Sequence, residues 1–475
     1  MNEFCLFLPI LIPAGFALFV LLRRPKCSNT ISLIGAILTG LSILEAAMGG
    51  ASLELPMAGN LDFQLRMDAM ALFFLIIIAA GFACAILYAR EYLKGDGRSP
   101  FFLGFTLLTL AAMMGLSLAG NIVTFYMFYE MMSLLSFPLV LYNQGQKCNK
   151  AAMVYLGFSV FGASMALMGI LLGGDFTVRS FAEPAGTMVL SARQQWAYLL
   201  MALGFSCKAG MLPLANWLPT AHPVAPAPAS ALLSGIITKA GILGIIRSTF
   251  FLFGAANLVG TMPQTVLLVL SILTIFVGSM LAYKEQLLKK RLAYSSVSQL
   301  SYVIFGLMLL SVDGLCGALM QVLFHACAKV GLFLCAGAFI HHCHVNRVDE
   351  LTGMGRRMPK VLAAFTCFSL SLIGIPPFGG FVSKWVLAEA ALEQGTQLAQ
   401  IGVVILLVSA LLTAGYLLPV VARGWFPGEE CKAQKTDAGL PMVLPLFFLA
   451  AVAAIFGMFP QSVMNFFRTI CTNLF

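Results

Sequence analysis

Six ionisable side chains stand within stretches of sequence that are otherwise apolar, and these residues have the chemistry to move a proton. They are Glu130, Lys208, Lys239, His325, Lys329 and Lys384, and we call this set the ionisable line. Placing one charge at the centre of a bilayer costs about 2.5 to 3.5 kcal/mol on insertion scales. Four lysines at such positions need a compensating structure, and a hydrated path lined by protein supplies one.

Proton transfer is the chemistry that these residue types favour. A lysine removed from water binds its proton less tightly and a nearby carboxylate restores the affinity, so moving the carboxylate releases or reloads the proton. Glu130 and Lys208 are predicted to form such a pair, with Lys239 as the next station. His325 and Lys329 lie four residues apart and so share a helical face, and imidazole titrates in the physiological range.

Each of these residues also has a purely structural interpretation. A single lysine within the membrane can snorkel or belong to a structural ion pair, and Glu130 can be no more than the counter-ion of Lys208. His325 taken alone fits a satisfied core histidine equally well. Arg247, toward the end of its apolar run, is predicted to snorkel to the interface. The combination of four lysines with a central glutamate and a histidine favours a path over isolated structural charges.

The elements that must position these charges are membrane-spanning helices. The 475 residues are 60% hydrophobic and only 10% charged, against roughly 25% charged residues in soluble domains. That composition excludes an ordinary soluble enzyme. Apolar runs such as 71–87 and 266–283 approach the roughly 20 residues that span a bilayer and do not alternate as barrel strands do. The fold class is therefore predicted to be all-α, a polytopic membrane protein.

Apolar runs, separated by Gly, Pro and polar residues, divide the chain into about 14 spans. The spans are centred in residues 4–22, 29–48, 68–89, 100–119, 121–142, 151–173, 196–215, 229–252, 262–283, 291–311, 316–341, 360–392, 399–422 and 439–460. In span 7, Pro213 follows Lys208 by five residues. In span 12, Gly374, Pro376 and Pro377 lie near the middle. Both spans are predicted to be helices broken within the membrane.

The distribution of Lys and Arg between alternate loops predicts the orientation, because cytoplasmic loops retain the positive charge. Nineteen of the 28 basic residues fall in the loops after odd-numbered spans, including Lys432 and Lys435 in the last of them, and four fall on the other face. Both termini are therefore predicted on the outer face of the inner (cytoplasmic) membrane. The run 289–291 is predicted to meet lipid phosphates. A net charge of +9 that is concentrated on one membrane face does not indicate nucleic-acid binding.

The sequence gives no indication of a redox cofactor or a metal site. The 12 cysteines include no CxxC pair and mostly lie in apolar runs, so neither a disulfide framework nor an iron–sulfur cluster is predicted. The stretch 341–344 contains three histidines and a cysteine. Adjacent residues on one helical turn point in different directions, which favours a polar helix end over a metal site. We expect the chain itself to bind no cofactor and no metal.

Five ordered blocks of sequence resemble the antiporter-like membrane subunits of respiratory complex I, of membrane-bound hydrogenases and formate hydrogenlyases, and of the Mrp cation/proton antiporters. The blocks are 121–136, 208–244, 289–302, 325–337 and 374–384, and the resemblance covers nearly the whole chain. Within the second block, HPVAPAPASALLSG looks closer to the complex I and hydrogenase members than to the Mrp members. The chain stops shortly after span 14, so the long lateral C-terminal helix of the largest complex I antiporter-like subunit is not expected.

The resemblance implies a role for each member of the ionisable line. Glu130 and Lys208 match the ion pair of the family's helices 5 and 7, and Lys239 matches the connecting lysine of helix 8. The other three match the relay of helices 11 and 12, where some members have glutamate in place of the helix 12 lysine. The family's helices 4–8 and 9–13 form two inverted repeats of five helices. The implied domains are N-terminal helices over 1–99, a first repeat over 100–255, a second repeat over 256–422, and a C-terminal loop and helix over 423–475.

The predicted function is that of a proton-translocating, non-redox subunit of a multi-subunit complex that redox chemistry in partner subunits drives. The expected partners are other membrane subunits, a peripheral redox arm that carries the cofactors, and the lipid bilayer. Two alternatives stay open. One is a subunit of an Mrp-type Na⁺/H⁺ antiporter without a redox partner. The other is a structural anchor for a redox arm, for which the central lysines are dispensable. The sequence does not distinguish the coupling ion, the electron donor and acceptor, or the direction of transport.

Overall fold

The structure, a computed structural model, describes residues 3–49, 52–57, 61–174, 179–427 and 436–475. Lys432 and Lys435, which the topology prediction counts in the last basic loop, lie outside the described residues. Apart from a few short turns, the described residues form seventeen helices and one β-hairpin. The hairpin pairs β1 (Ser52–Pro56) with β2 (Asp62–Arg66) in antiparallel register.

The helices follow one another with short connections. In chain order they are α1 (Phe4–Arg23), α2 (Ser28–Gly49), α3 (Ala69–Tyr92), α4 (Ser99–Leu118), α5 (Ile122–Leu141), α6 (Gln146–Gly173), α7 (Ala192–Ala209), α8 (Trp217–Val224), α9 (Ala227–Phe253), α10 (Met262–Lys284), α11 (Leu288–Met308), α12 (Val312–Cys343), α13 (Pro359–Ile373), α14 (Gly379–Gln394), α15 (Gln397–Trp425), α16 (Leu440–Met458) and α17 (Pro460–Thr472).

Side-chain caps fix where several of these helices begin. The carboxylate of Asp68 accepts a hydrogen bond from the N–H of Ala71 at the start of α3, and Asn121 accepts one from the N–H of Thr124 at the start of α5. Ser311 caps α12 in the same way. A cap satisfies a backbone donor that the first turn leaves free, so these polar residues between apolar runs set the helix boundaries.

The prediction of an all-α polytopic membrane protein is confirmed. Of the described helices, eleven are long and apolar enough to cross a membrane. The three predicted spans outside that set are α7, α11 and the broken pair α13 and α14. The β-hairpin, α8 and α17 are not predicted from the sequence. Each is short, and all three carry prolines or charges where the search for spans looks for apolar runs.

Helices α9 and α12 form the centre of the bundle. The apolar part of α9 is buried along its whole length and that of α12 over 89% of its residues, against 33% for α15. A helix that is apolar on all sides is covered by protein or by lipid, and the cover of α9 and α12 is protein. Lys239 therefore lies in α9, and His325 and Lys329 lie in α12, where other helices surround them and neither water nor lipid can replace a protein partner.

Both predicted helix breaks are present. Helix α7 ends at Gly210 and α13 ends at Gly374, each in the left-handed region with φ of 84° and 92°. In each break the next N–H bonds the carbonyl five residues earlier: Met211 to Ser206 (3.0 Å) and Ile375 to Leu370 (3.0 Å). This glycine-terminated ending stops the helix and satisfies some of its last carbonyl groups, while the carbonyls that follow them stay available to other donors. Broken helices of this kind are tolerated at membrane depth only inside protein.

Candidate functional site

Lys208 lies in the last turn of α7, two residues before Gly210, and is buried. Its Nζ donates to the hydroxyl oxygens of Tyr155 (2.9 Å) and Ser159 (3.0 Å), both on α6. The rings of Tyr155 and Trp217 lie 4.5 Å and 5.8 Å from Nζ, and the faces of such rings attract cations. Hydroxyl groups and aromatic rings therefore hold this ammonium, and no carboxylate of the described residues pairs with it.

Glu130 is half-buried on α5 and forms no ion pair with Lys208 in this conformation. Its Oε1 accepts a hydrogen bond of 2.8 Å from the hydroxyl of Tyr126, one turn earlier on the same helix. Across the described part of the chain, carboxylates within 4.0 Å of a basic group belong to other residues. The structure thus places both residues on neighbouring helices of one half of the bundle but leaves the predicted pair open, with each member bound to hydroxyl groups.

Lys239 and His325 are in direct contact at the centre of the bundle. Nζ of Lys239 lies 2.8 Å from Nδ1 of His325 and also donates to the carbonyl of Ser234 (3.1 Å). Lys239 follows a π-helical turn, Leu233–Ile237, which interrupts the regular bonding of α9. Such turns often occur at functional positions because they offset one side of the helix. The contact joins α9, in the predicted first repeat, to α12, in the predicted second repeat.

Lys329 lies one turn after His325 on α12, as predicted, and is fully buried. Its Nζ donates to the carbonyl of Leu292 on α11 at 2.9 Å. That carbonyl belongs to the fifth residue of α11 and serves as a fixed acceptor, so this ammonium too is held by the backbone. The described residues place no carboxylate within ion-pair distance of Lys329.

Lys384 lies on α14, just after the second break, and is half-buried. Its Nζ donates to the carbonyls of Leu372 (2.6 Å) and Ile373 (2.9 Å), and lies 5.2 Å from the ring centre of Tyr302. The last carbonyls of a helix lack partners within the helix and carry its partial negative charge. The end of α13 is thus a site that suits a cation.

Sequence reasoning missed one buried histidine and one buried lysine near the centre. His222 on α8 is fully buried, and neither ring nitrogen has a hydrogen-bond partner in the described part of the chain. Its ring lies 4.6 Å from that of Phe333 on α12. Lys289 is buried as well and donates to the carbonyl of Ala225, at the end of α8 (2.7 Å). A histidine within the Pro-rich stretch after span 7 was the signal available in the sequence.

The expectation that Arg247 snorkels to the interface is wrong. Its guanidinium is buried and forms two hydrogen bonds to the carboxylate of Asp68, of 2.6 Å and 3.0 Å. Asp68 caps α3, so this pair ties the C-terminal part of α9 to the start of α3. A planar guanidinium matches a carboxylate in this two-point geometry, and such a buried pair fixes the relative position of two helices.

The expectation that residues 289–291 meet lipid phosphates is wrong for two of the three residues. Lys289 is buried as described, and Arg291 donates to the carbonyls of Glu285 (2.8 Å) and Tyr416 (2.7 Å). Lys290 pairs with Glu285 at 2.8 Å. Burial alone raises the pKa of Glu285, but hydrogen bonds from Lys290 and from backbone N–H groups outweigh it, so the pKa is lowered. The run therefore joins α11 to neighbouring helices.

The histidines at the end of α12 face α3. Nε2 of His342 lies 3.5 Å from Oε1 of Glu91, and the rings of His341 and Tyr92 are 5.1 Å apart. Oε1 of Glu91 also accepts a hydrogen bond from the N–H of Gly439, at the start of α16. These contacts fit the interpretation of the stretch as a polar helix end that joins three helices.

Comparison with known proteins decides the family. The family model described as "NADH:quinone oxidoreductase/Mrp antiporter, TM" matches residues 119–413. The chain belongs to this family. The matched region is more than half of the chain and includes all six residues of the ionisable line, both helix breaks and the contact between α9 and α12.

Relatives of this family member carry three kinds of name. NADH-quinone oxidoreductase subunit N of Desulforudis audaxviator is 30% identical over 85% of this chain and 83% of its own length. Hydrogenase-4 component B of Escherichia coli is 32% identical over 76% of this chain and 56% of its own length. Na(+)/H(+) antiporter subunit A1 of Staphylococcus aureus is 28% identical over 86% of this chain and 54% of its own length.

Solved structures of similar fold cover the whole family member. A chain of the Mrp complex from Dietzia sp. DQ12-45-1b superposes with a TM-score of 0.88 at 22% identity, and covers 100% of this chain and 98% of its own. A chain of respiratory complex I from Thermus thermophilus superposes with a TM-score of 0.84 at 22% identity, and covers 99% and 100%. At this identity the similarity is one of fold.

Proposed function

We propose that this chain is the proton-translocating membrane subunit of a redox-driven complex and that protons move along the ionisable line. The contact between Lys239 and His325 carries this proposal. A lysine and an imidazole 2.8 Å apart, both fully buried, are positioned for direct proton transfer between the two halves of the bundle. The rest of the line extends this contact to both sides, toward Lys208 and toward Lys384.

The transfer steps follow from the geometry of each station. When Glu130 leaves Lys208, the lysine holds its proton less tightly, and Tyr155 and Ser159 offer hydroxyl groups along which a proton can leave. The proton passes to Lys239 and then to Nδ1 of its imidazole partner. Moving one charge against 100 mV requires about 2.3 kcal/mol. A change of this size is within reach of helix movements that open or close a buried ion pair.

The relatives named as oxidoreductase and hydrogenase components support a redox-driven complex as the driving partner. We therefore propose that other membrane subunits flank this chain, and that a peripheral arm with the redox cofactors drives it. Large exposed apolar side chains, such as Leu411 on α15 (75% exposed) and Leu440 on α16 (73%), leave surface for lipid and for such subunits. In this proposal the residues of this chain supply proton sites, and the partner subunits supply the redox chemistry.

The proposed location is the inner membrane, with both termini on the outer face. The excess of basic residues at the ends of the bundle that face away from the termini supports this orientation. Of the nineteen residues counted there, Lys147 and Lys150 at the start of α6 are exposed, as residues at a membrane surface should be.

A second candidate function is that of an Mrp-type Na⁺/H⁺ antiporter subunit. The similarity to the Staphylococcus aureus antiporter subunit, over 86% of this chain, favours it. Both candidates use the ionisable line, and they differ in what drives it. An imposed Na⁺ gradient moves protons in proteoliposomes only if the antiporter assignment is correct, whereas a redox substrate moves them only if the redox-driven assignment is correct.

The test uses the complex purified in mild detergent and reconstituted into proteoliposomes, with proton movement followed by a pH-sensitive dye. We expect Lys384→Ala and Glu130→Gln each to abolish proton movement or reduce it severely while the complex still assembles. Lys147→Ala is the control, because this lysine is exposed at the start of α6. If both line variants pump like the control, translocation along the line is wrong, and the chain is a structural anchor.

A further inference from the structure

Helix α17 packs across the end of the bundle. With 13 residues it is too short to cross a bilayer. The ring of Phe467 meets that of Phe73, near the start of α3, edge-on at 4.8 Å. The ring of Phe475, which follows α17, lies 5.3 Å from that of Phe250, near the end of α9. In the proposed orientation, the start of α3 and the end of α9 both lie on the outer face of the membrane, so α17 lies there too.

The apolar attachment of α17 to the bundle is small. Its buried side chains recur at spacings of one, three and four residues and so form one face of the helix. They are Val463, Phe467, Ile470 and Cys471. A short helix that buries one narrow face gains little from packing alone, and further contacts must keep it in place.

A salt bridge and a pair of thiols join α17 to α12, one helical turn apart. Nη2 of Arg468 lies 3.0 Å from Oδ1 of Asp313, and both side chains are more than one third exposed. Three residues further along each helix stand Cys471 and Cys316, whose thiols are in hydrogen-bonding contact. Residues three apart share a helical face, so both contacts belong to one interface. An exposed ion pair contributes little free energy, and it serves mainly to set the register of the two thiols.

The two thiols meet on the side of the membrane where disulfides form. Both cysteines are fully buried, and both are free in the structure. Disulfides persist outside the cytoplasm and are rare within it. We propose that Cys316 and Cys471 are a disulfide site, and that oxidation on the outer face links α17 covalently to α12. This inference depends on the proposed orientation but not on proton translocation. The two cysteines lie far apart in the chain, so their spacing does not reveal the pair.

The oxidant is a disulfide of a protein or of a small thiol, which exchanges in two steps. The thiolate of Cys471 attacks it, forms a mixed disulfide and releases one thiol. The thiolate of Cys316 then attacks the mixed disulfide, forms the bond between the two cysteines and releases the second thiol. The cysteines lose two electrons and two protons, and the oxidant gains both and ends as two thiols. Because both sulfur atoms are buried once α17 has packed, exchange precedes packing, and packing then shields the bond from reductants.

A linked α17 also keeps the C-terminal segment beside a buried ion pair. Asp68, which binds the guanidinium of Arg247, lines a cleft at this end of the bundle. Phe251 forms part of one wall of the cleft, and Asn473 and Leu474 form part of another. The disulfide therefore limits the access of water to the pair that joins α3 to α9.

The first test looks for the bond directly. Thiols are trapped with N-ethylmaleimide in intact cells, the protein is denatured with the reagent present, and its digest is searched by mass spectrometry. We expect Cys316 and Cys471 in one linked peptide that separates on reduction. Cys84 and Cys327, which are neighbours between the middle parts of α3 and α12, are the control pair and should carry the alkyl group. Alkylation of Cys316 and Cys471, or equal linkage of the control pair, overturns the inference.

A second measurement separates the site from the orientation. Gln461 is exposed on α17, and Gln461→Cys should react with a membrane-impermeant maleimide in right-side-out vesicles. If this cysteine reacts but the link is absent, the disulfide site is wrong. If it does not react, the orientation is wrong and the inference falls with it. The Lys384→Ala result bears on the proton path alone, so failure of the proposed function is distinguishable from failure of this inference.

A third measurement tests whether the bond holds α17 in place. We expect Cys471→Ser and Cys316→Ser each to speed amide hydrogen exchange in α17 by about tenfold or more, because either change removes the link. Cys27→Ser, at an exposed cysteine between α1 and α2, should leave this exchange unchanged. Reduction of the unmodified protein should speed it as the serine variants do, which excludes misfolding of a variant as the cause. Unchanged exchange after reduction and in both serine variants would overturn the link as the attachment of α17.

Discussion

The two helix breaks have the same backbone geometry, but their lysines lie on different half-helices and bond different kinds of acceptor. In each, a half-helix ends at a left-handed glycine, Gly210 or Gly374, and a proline stands three residues later. Lys208 lies on the half-helix that ends at the first break. Lys384 lies on the half-helix that begins after the second break. The lysine therefore precedes the break in the first case and follows it in the second.

Both lysines are nevertheless associated with the same position, two residues before the left-handed glycine of the break. Lys208 lies two residues before its glycine, and the residue two positions before Gly374 is Leu372. The carbonyl of Leu372 accepts the shorter of the two hydrogen bonds from Lys384, at 2.6 Å. In the second break, Lys384 thus extends from α14 to the carbonyl of the residue two positions before the glycine. In the first break, that position is Lys208 itself.

The difference lies in what holds each charge. Side-chain hydroxyls of α6 hold Lys208, whereas main-chain carbonyls of α13 hold Lys384. Substitution can remove a hydroxyl but not a carbonyl. Side-chain changes near the lysines should therefore damage the first break more, and changes that move the backbone should damage the second break more.

The largest expected effect tests the first half of this contrast. Tyr155→Phe combined with Ser159→Ala removes both hydrogen-bond acceptors of Lys208 and keeps the aromatic ring. Hydrogen bonds to charged groups contribute about 1.5 to 3 kcal/mol each, and about 1.4 kcal/mol corresponds to a tenfold change. We expect proton movement to fall by on the order of 100-fold, measured with the reconstituted complex.

Tyr302→Phe is the matched change at the second break. It keeps the ring near Lys384 and removes a hydroxyl that bonds the carbonyl of Leu406. Proton movement should stay near that of the unmodified protein, because the acceptors of Lys384 are carbonyl groups. If Tyr302→Phe impairs proton movement as much as the double variant does, the two breaks do not differ in the way we describe.

Glycine substitutions test the second half of the contrast and should have an intermediate effect. A Cβ on Gly380 would overlap the carbonyl oxygen of Ser371, which is backbone and cannot rotate away. A Cβ on Gly210 would overlap only the flexible end of the Leu218 side chain, although the positive φ at this position adds strain. Overpacking of a tight contact costs typically about 1 to 3 kcal/mol.

We therefore expect Gly380→Ala to lower both the thermal stability of the complex and its proton movement, the latter by roughly tenfold, the factor that about 1.4 kcal/mol gives. Gly210→Ala should cost about 1 to 2 kcal/mol, as a left-handed alanine does, and leave Lys208 bound to its hydroxyls. Thermal unfolding of the purified complex and the dye assay measure the two quantities. Equal loss of proton movement in both variants would mean that the second break tolerates backbone displacement as well as the first.

The sequence predicts the helices and their breaks well because both follow from local rules. Apolar runs of membrane length, and glycine with proline in the middle of a run, act through neighbouring residues only. The spans that contain Lys208 and Lys384 were predicted with their breaks in the right places. The β-hairpin and α17 were missed because both are short and carry charged residues, so nothing in a search for apolar spans marks them.

The contacts of the site depend on which helices meet, and no local rule supplies that. The approach of Lys239 to His325 depends on the packing of α9 against α12. The retention of Lys384 by α13 carbonyls depends on the geometry of the break. Burial of Arg247 with Asp68 likewise joins residues far apart in the chain, so its charge was assigned to the interface. Whether the two halves are inverted repeats stays a prediction.

The smallest expected effect concerns Glu130, the carboxylate predicted as partner of Lys208 at the first break. The Tyr126 hydroxyl binds Glu130 in this conformation, and that bond competes with an ion pair. Tyr126→Phe frees the carboxylate, which should then spend more time beside Lys208 and slow proton release. A typical hydrogen bond contributes about 0.5 to 1.5 kcal/mol net, so we expect a slowing of roughly two-fold to ten-fold in the dye assay. Tyr129→Phe removes a buried hydroxyl of α5 that is not the hydrogen-bond donor to the Glu130 carboxylate, so it should change the rate little. In a Glu130→Gln background the effect of Tyr126→Phe should disappear, since residues that act through one contact are not additive. A slowing that persists there would show that the tyrosine acts on something other than the carboxylate, and the first break would then resemble the second in holding its lysine without help from an acid.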